Sequence, residues 1–349
     1  MLPPWSGSPS SGRDVVPDAL PVPPRVAVPA LFLWLAAVQS LHRYVRLSRP
    51  SVGLHPDVTS AWLPVAEAVF AGTPLYAPGA TDNKPPLFEL LNLAVYATDH
   101  YVLAFLALVG LANGAVAALL WQVGRRHGAS RVGLVAGVLY LGALPVVDGT
   151  AINVRSFAMV GVLAALVARR PAARGVALAA GALCSQYALL ALPLVALDGL
   201  SDALAARRRG LWRFGAATGA TLIAGFAAVG LIWGPTAAVD ALHWSVGRAP
   251  RYVLAVGPSV LTLPSTWARL LVGMHLRLLG LVWFGALGLL IVGHAARQGA
   301  EWGVGPLAAL LGVTFGIPLF VRPFATYWLY PLPGIALLSA MGLRTVLAR

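Results

Sequence analysis

The chain alternates between long apolar runs and short polar breaks that carry arginine. Runs over 28–47, 102–123, 132–147, 156–168, 214–233, 278–293, 304–321 and 327–346 read as eight membrane-crossing helices. Two further apolar segments do not fit a simple crossing. Residues 87–97 are too short, since a helix needs about 20 residues to cross a bilayer. They predict a partly embedded helix that turns back at Asp99-His100. Residues 176–197 are broken at Cys184-Ser185-Gln186 and at Pro193, with basic residues before and after. That pattern predicts a re-entrant helical pair, its irregular backbone covered by protein or water. Between Thr59 and Ala71, the residues Trp62, Val65, Ala66, Val69 and Phe70 fall at helical spacing. They predict a helix lying in the membrane plane.

The fold class is therefore an all-α polytopic bundle, with 28–349 as one transmembrane domain. Residues 1–27 are rich in Pro, Ser and Gly and read as a disordered cytoplasmic tail. No removable signal peptide is expected, because no basic n-region precedes a short apolar core. Arginine clusters at 124–131, 169–175, 202–213, 294–302 and the C-terminus assign those segments to the cytoplasm. The first outer loop is then 48–101, the second long one 234–277, and 148–155 and 322–326 lie on the same side. Arg43, Arg46 and Arg49 share a helical face at the outer end of the first helix, where snorkelling to the interface is expected.

Composition agrees with the pattern. Of 349 residues, 58% are hydrophobic and 11% charged, with a mean hydropathy of +0.78. Soluble domains carry about 25% charged residues. The net charge of +13 sits mostly in loops between apolar runs, so it marks orientation and not nucleic-acid binding. A single cysteine, Cys184, excludes an internal disulfide and zinc sites built on cysteine pairs.

The outer loops gather Asp57, Asp82, Lys84, Arg248, Arg251 and Arg322 with aromatic residues that include Tyr76 and Tyr327. Lys84 is the only lysine; every other basic side chain, histidine aside, is arginine. Lysine supplies a compact point charge where arginine supplies a planar fork. Arginines on the outer side run against the usual bias, and anchoring an anionic group explains them. Asp57 has two readings: a helix N-cap before Val58-Thr59, or a base shielded by the neighbouring helix.

An aspartate in the first outer loop, a Gly-Thr-Pro-Leu-Tyr turn ending at Tyr76, and Asp82-Asn83-Lys84-Pro85-Pro86-Leu87-Phe88 form a recognisable series. It resembles the lipid-linked sugar transferases of the GT-C fold. The likeness is to the group of protein O-mannosyltransferases, aminoarabinose transferases and archaeal dolichol-phosphate-mannose mannosyltransferases. Arg322-Pro323-Phe324-Ala325-Thr326-Tyr327-Trp328 and the following Pro331-Leu332-Pro333 are similar to that group's late element. Thr326 stands where the group often has histidine, and Arg155 where many members are acidic. The resemblance implies transfer of a sugar, mannose in part of the group, from a polyprenyl- or dolichyl-phosphate donor to a glycan, lipid or protein acceptor on the extracytoplasmic face.

In that reading Asp57 deprotonates the acceptor, and Lys84, Arg322, Arg248 and Arg251 take the donor phosphate. Asp82, Tyr76 and Tyr327 support them. One carboxylate at the sugar implies displacement with inversion. No metal ligands and no cofactor are assigned, although a divalent ion stays open. The alternatives are a secondary transporter, which would carry internal repeats and mid-membrane charges, and a non-catalytic lipid-binding protein.

Overall fold

The computed structural model describes residues 23–49, 52–198, 204–247, 278–298, 303–321 and 325–347. Their regular elements are all helices, with no strand among the described residues. Helix α1 spans Pro24–Leu47, and a long helical segment α2 spans Val58–Phe70. Then follow α3 (Pro86–Tyr96), α4 (Tyr101–Arg126), α5 (Ser130–Ala143), α6 (Arg155–Val167) and α7 (Pro171–Cys184). A 3-10 turn at Gln186–Ala191 leads to α8 (Leu192–Asp198), α9 (Leu204–Trp233) and α10 (Pro235–Leu242). The chain closes with α11 (Leu279–Arg297), α12 (Val304–Val321), a 3-10 turn at Ala325–Leu329, and α13 (Leu332–Leu347). Four stretches are long and apolar enough to cross a bilayer: Pro24–Leu47, Tyr101–Arg126, Arg208–Trp233 and Gly280–Arg297. Among the described residues this all-helical architecture is consistent with an α-helical membrane protein.

Helix α1 starts inside the stretch expected to be tail. Pro24 at the first helical position tolerates a missing N–H, and the apolar run continues from Val26. Helix α4 is central, with α1, α5 and α6 packed on it. Small residues allow the close crossings. A Cβ on Gly161 of α6 would lie 2.5 Å from the Gly181 Cα of α7. Such backbone approach is how apolar helices associate where burial from water contributes little.

Two polar contacts define the ends of the bundle. At one end Asp198 lies 3.4 Å from Arg126 and 3.3 Å from Arg174. Arg126 closes α4, Arg174 opens α7 and Asp198 closes α8. The segment α7–α8 therefore leaves this end and returns to it. Its break falls at Cys184-Ser185, where the sequence placed it. At the other end Arg43 of α1 lies 3.5 Å from Asp148, in the turn after α5. That arginine pairs with a carboxylate where only snorkelling was expected. Asp148 itself has φ +56, which fits a turn residue.

The turn between α5 and α6 is held from α4. Asn113 Nδ2 donates to the Gly149 carbonyl at 3.0 Å, while Asn113 Oδ1 accepts from Tyr140 and Ser156. These groups are buried, so their mutual satisfaction fixes the position of neighbouring Arg155.

Candidate functional site

The stretch from Gly72 to Pro85 runs between α2 and α3. Tyr76 adopts φ +68, a conformation uncommon for a non-glycine residue. Its ring is buried, and its hydroxyl donates to the Lys84 carbonyl at 2.7 Å. The loop is thereby folded back on itself. Burial, with the Asp82 charge adding to it, holds the Tyr76 phenol well above its usual range, so it stays a neutral donor. Ser245, beyond α10, donates to the same carbonyl at 3.3 Å.

The Lys84 ammonium lies 3.7 Å from Asp82 and donates to the side chain of Asn83. It also lies 5.8 Å from the centroid of the Trp62 ring. Trp62 is anchored in turn, since Asn92 of α3 donates to its carbonyl at 2.8 Å. A cation over an indole face and beside one carboxylate has a fixed direction. The lysine side chain is 17% exposed, so it is largely desolvated yet reachable.

The structure thus brings together Tyr76, Asp82 and Lys84. It sets Asp57 apart, at the start of α2, with its carboxylate 3.8 Å from His55. Asp57 makes no side-chain cap bond to α2. Nor is it shielded as expected, because its side chain is 43% exposed. Helix α2 turns its apolar face inward: Trp62, Val65 and Ala66 are buried, whereas Phe70 is exposed. That face packs on protein, which leaves α2 little apolar surface for covering Asp57 from above.

Tyr327 belongs to a second cluster. The Arg155 guanidinium lies 4.1 Å from the Tyr327 ring centroid. Tyr187 and Tyr330 pack around it, and Ser185 and Tyr330 share a hydrogen bond of 2.6 Å. Arg155 is only 6% exposed. Arg248, Arg251 and Arg322 lie outside the described residues.

Glu89 is the residue that the sequence reading did not single out. It sits in the first turn of α3 and is fully buried. One acidic side chain inside the apolar run 87–97 was the available signal, because such a residue is costly in an apolar setting.

Beside the lysine loop opens an apolar cavity of about 510 Å³. Pro85 and Ser245 form its end at the loop, and Leu183, Leu222, Phe226 and Val239 line its walls. The walls come from α7, α9 and α10. Among the described residues no group of three or more His, Cys, Asp or Glu could hold a metal ion. No protein-family model, no curated protein and no solved structure matches this chain.

Proposed function

We propose that this protein is an integral-membrane glycosyltransferase that moves a sugar from a polyprenyl-phosphate donor to an acceptor outside the cytoplasm. One observation carries the reading. The single lysine, held over Trp62 and beside Asp82, adjoins an apolar cavity open between helices. A polyprenyl phosphate has this bipartite chemistry: an apolar tail and an anionic head. The tail occupies the cavity and the phosphate meets Lys84. The sugar then lies toward the outer loop that carries Asp57.

In the transfer step the acceptor oxygen attacks the anomeric carbon while the carbon–oxygen bond to phosphate breaks. The electron pair of that bond leaves with the phosphate, stabilised by Lys84. The acceptor proton goes to Asp57. The Asp57 side chain is 43% exposed, so in this reading the substrate supplies its shielding. Attack opposite the leaving phosphate inverts the anomeric centre.

The short apolar helices complete eight crossings in this reading: α1, α4, α5, α6, α9, α11, α12 and α13. Helices α7 and α8 form the re-entrant pair. The Asp198 cluster faces the cytoplasm and the Lys84 loop faces out, following the arginine distribution. A transporter is less favoured, since the polar cluster lies in a loop at one end of the bundle.

The direct test is donor binding by purified protein. Wild type should bind polyprenyl phosphate, and Lys84→Ala should weaken it by at least about tenfold, for the loss of a hydrogen bond to a charged group. Polyprenol without phosphate should bind both proteins alike. Equal phosphate affinity in the two would reject Lys84 as its ligand.

A further inference from the structure

Glu89 and Asp82 present a problem of hydrogen-bond accounting. Glu89 is 0% exposed, and its Oε1 has no hydrogen-bond partner among the described residues. The Asp82 side chain is 8% exposed, and its buried Oδ2 has no partner among them either. The two carboxyl groups face one another. Ionised carboxylate oxygens only accept, so neither can satisfy the other. A proton between them satisfies both.

The surroundings say where that proton sits. Glu89 Oε2 accepts from Asn92 Nδ2 at 3.3 Å, and Asn92 Oδ1 accepts from the Tyr101 hydroxyl at 2.6 Å. This leaves Oε1 as the oxygen of Glu89 without a partner among the described residues, with Asp82 as the neighbouring carboxyl. The Asp82 Oδ1 atom is already engaged, by the Asn83 amide at 2.6 Å and by Lys84. Lys84 neutralises one carboxylate, and a second ionised one would leave the cluster negative.

Among the described residues, the other groups around Glu89 do not supply a second positive charge. The loop contributes Tyr76, Asp82 and Lys84, and α4 contributes Tyr101. The α7 side brings the Cys184 thiol, packed with Phe88 and Val95. Helices α2 and α9 bring apolar Val65, Ala66 and Val229. Helix α3, at 11 residues, is about 16 Å long and too short to span a bilayer. Burial first, and the Asp82 charge second, push the Glu89 carboxyl well above the usual carboxylate range, against the opposing effects of Lys84 and Asn92.

We propose that Glu89 carries a proton donated to Asp82, and that this proton keeps Lys84 available to a phosphate-type anion. The second half rests on the reading of Lys84 as the phosphate ligand. With the proton in place, Lys84 and Asp82 form a neutral pair that a phosphate can enter. Without it, an added negative charge beside Lys84 repels the phosphate. Affinity for the anion is therefore full below the folded-state pKa of Glu89. Above that pKa it falls about tenfold per pH unit, because only the protonated form binds.

Three measurements test this. The infrared spectrum of wild type at neutral pH should show the carbonyl stretch of a buried carboxylic acid, absent in Glu89→Gln. A raised pKa in the folded state stabilises the protein at low pH and loses that contribution as pH rises. Thermal stability should therefore decline as pH rises from the ordinary carboxylate range up to the folded-state pKa of Glu89 in wild type, and less so in Glu89→Gln. Asp82→Asn is the second variant: it removes the neighbouring charge, so its decline should move toward lower pH.

The third measurement is binding of polyprenyl phosphate and of inorganic phosphate across the same range. Both should weaken with rising pH in wild type and hold steady in Glu89→Gln. Weakening of polyprenyl phosphate alone would assign the site to the lipid. A fall that persists in Glu89→Gln belongs to Lys84 itself and overturns the gate. A missing carboxylic acid band in wild type overturns the proposal whatever the ligands do. A band present without phosphate binding overturns the gate and the transferase reading together, and so separates that failure from the first.

Discussion

The Tyr76 hydroxyl donates to the Lys84 carbonyl at 2.7 Å, which closes the loop that presents the lysine. Tyr76 holds a left-handed backbone to do so, with its ring buried between α2, α3 and α9. Such conformations persist where the surrounding structure over-determines them. The ring sets the backbone and the hydroxyl sets the loop. Tyr76→Phe keeps the ring and removes the bond. It should cost about 1 kcal/mol of stability, the net worth of one hydrogen bond. It should also weaken polyprenyl phosphate binding severalfold, because Lys84 loses its fixed position. Thermal unfolding in detergent and donor titration check the two parts. Unchanged affinity would show that Ser245 alone holds the loop.

Asp57→Asn separates base from cap. The side chain caps nothing and is partly in solvent, so stability should stay within about 0.5 kcal/mol of wild type. Sugar transfer should fall by about 100-fold or more, the scale of a lost general base. The comparison is turnover against melting temperature in one preparation. Wild-type turnover in the variant would move the base elsewhere.

The cavity can be filled without touching the polar groups. Ala227 lines it from α9 and is exposed. Ala227→Trp should narrow it and reduce affinity for long-chain polyprenyl phosphate by about tenfold, as when a ligand's apolar contacts are lost. Inorganic phosphate should bind as before. A similar loss for both ligands would mean that the substitution disturbs Lys84.

Topology is tested with Cys184→Ser as the background, since Cys184 is the single thiol. New cysteines at Thr81 and at Ala205 should label from opposite faces of sealed vesicles, because arginine-rich segments stay in the cytoplasm. Labelling from the same face would refute the orientation.

The sequence carried the fold's coarse plan because crossing helices are written as apolar length. Helices α1, α4 and α9 and the break at Cys184-Ser185 follow from composition alone. The grouping of Tyr76, Asp82 and Lys84 was legible because one short loop supplies all three. Glu89 was not, since reading 87–97 by its length hid the single acid within it. The pairing of Arg43 with Asp148, and of Arg155 with Tyr327, joins distant segments. No local period encodes such contacts. The exposure of Asp57 was misjudged for a related reason: α2 is amphipathic, but its apolar face is used against α3 and the loop.

The central claim is that Lys84 serves transfer from a lipid-phosphate sugar. The most direct measurement is label transfer from polyprenyl-phosphate sugars incubated with purified protein in lipid. Wild type should release label from the lipid into an acceptor or water. Lys84→Arg, which keeps the charge and changes its shape, should lose most of that activity, because a planar fork replaces the compact point charge set beside Asp82 and Asn83. Lys84→Ala should be only modestly worse. Full retention of label on the lipid with wild type, across the sugars offered, would contradict the account; so would a Lys84→Ala protein as active as wild type.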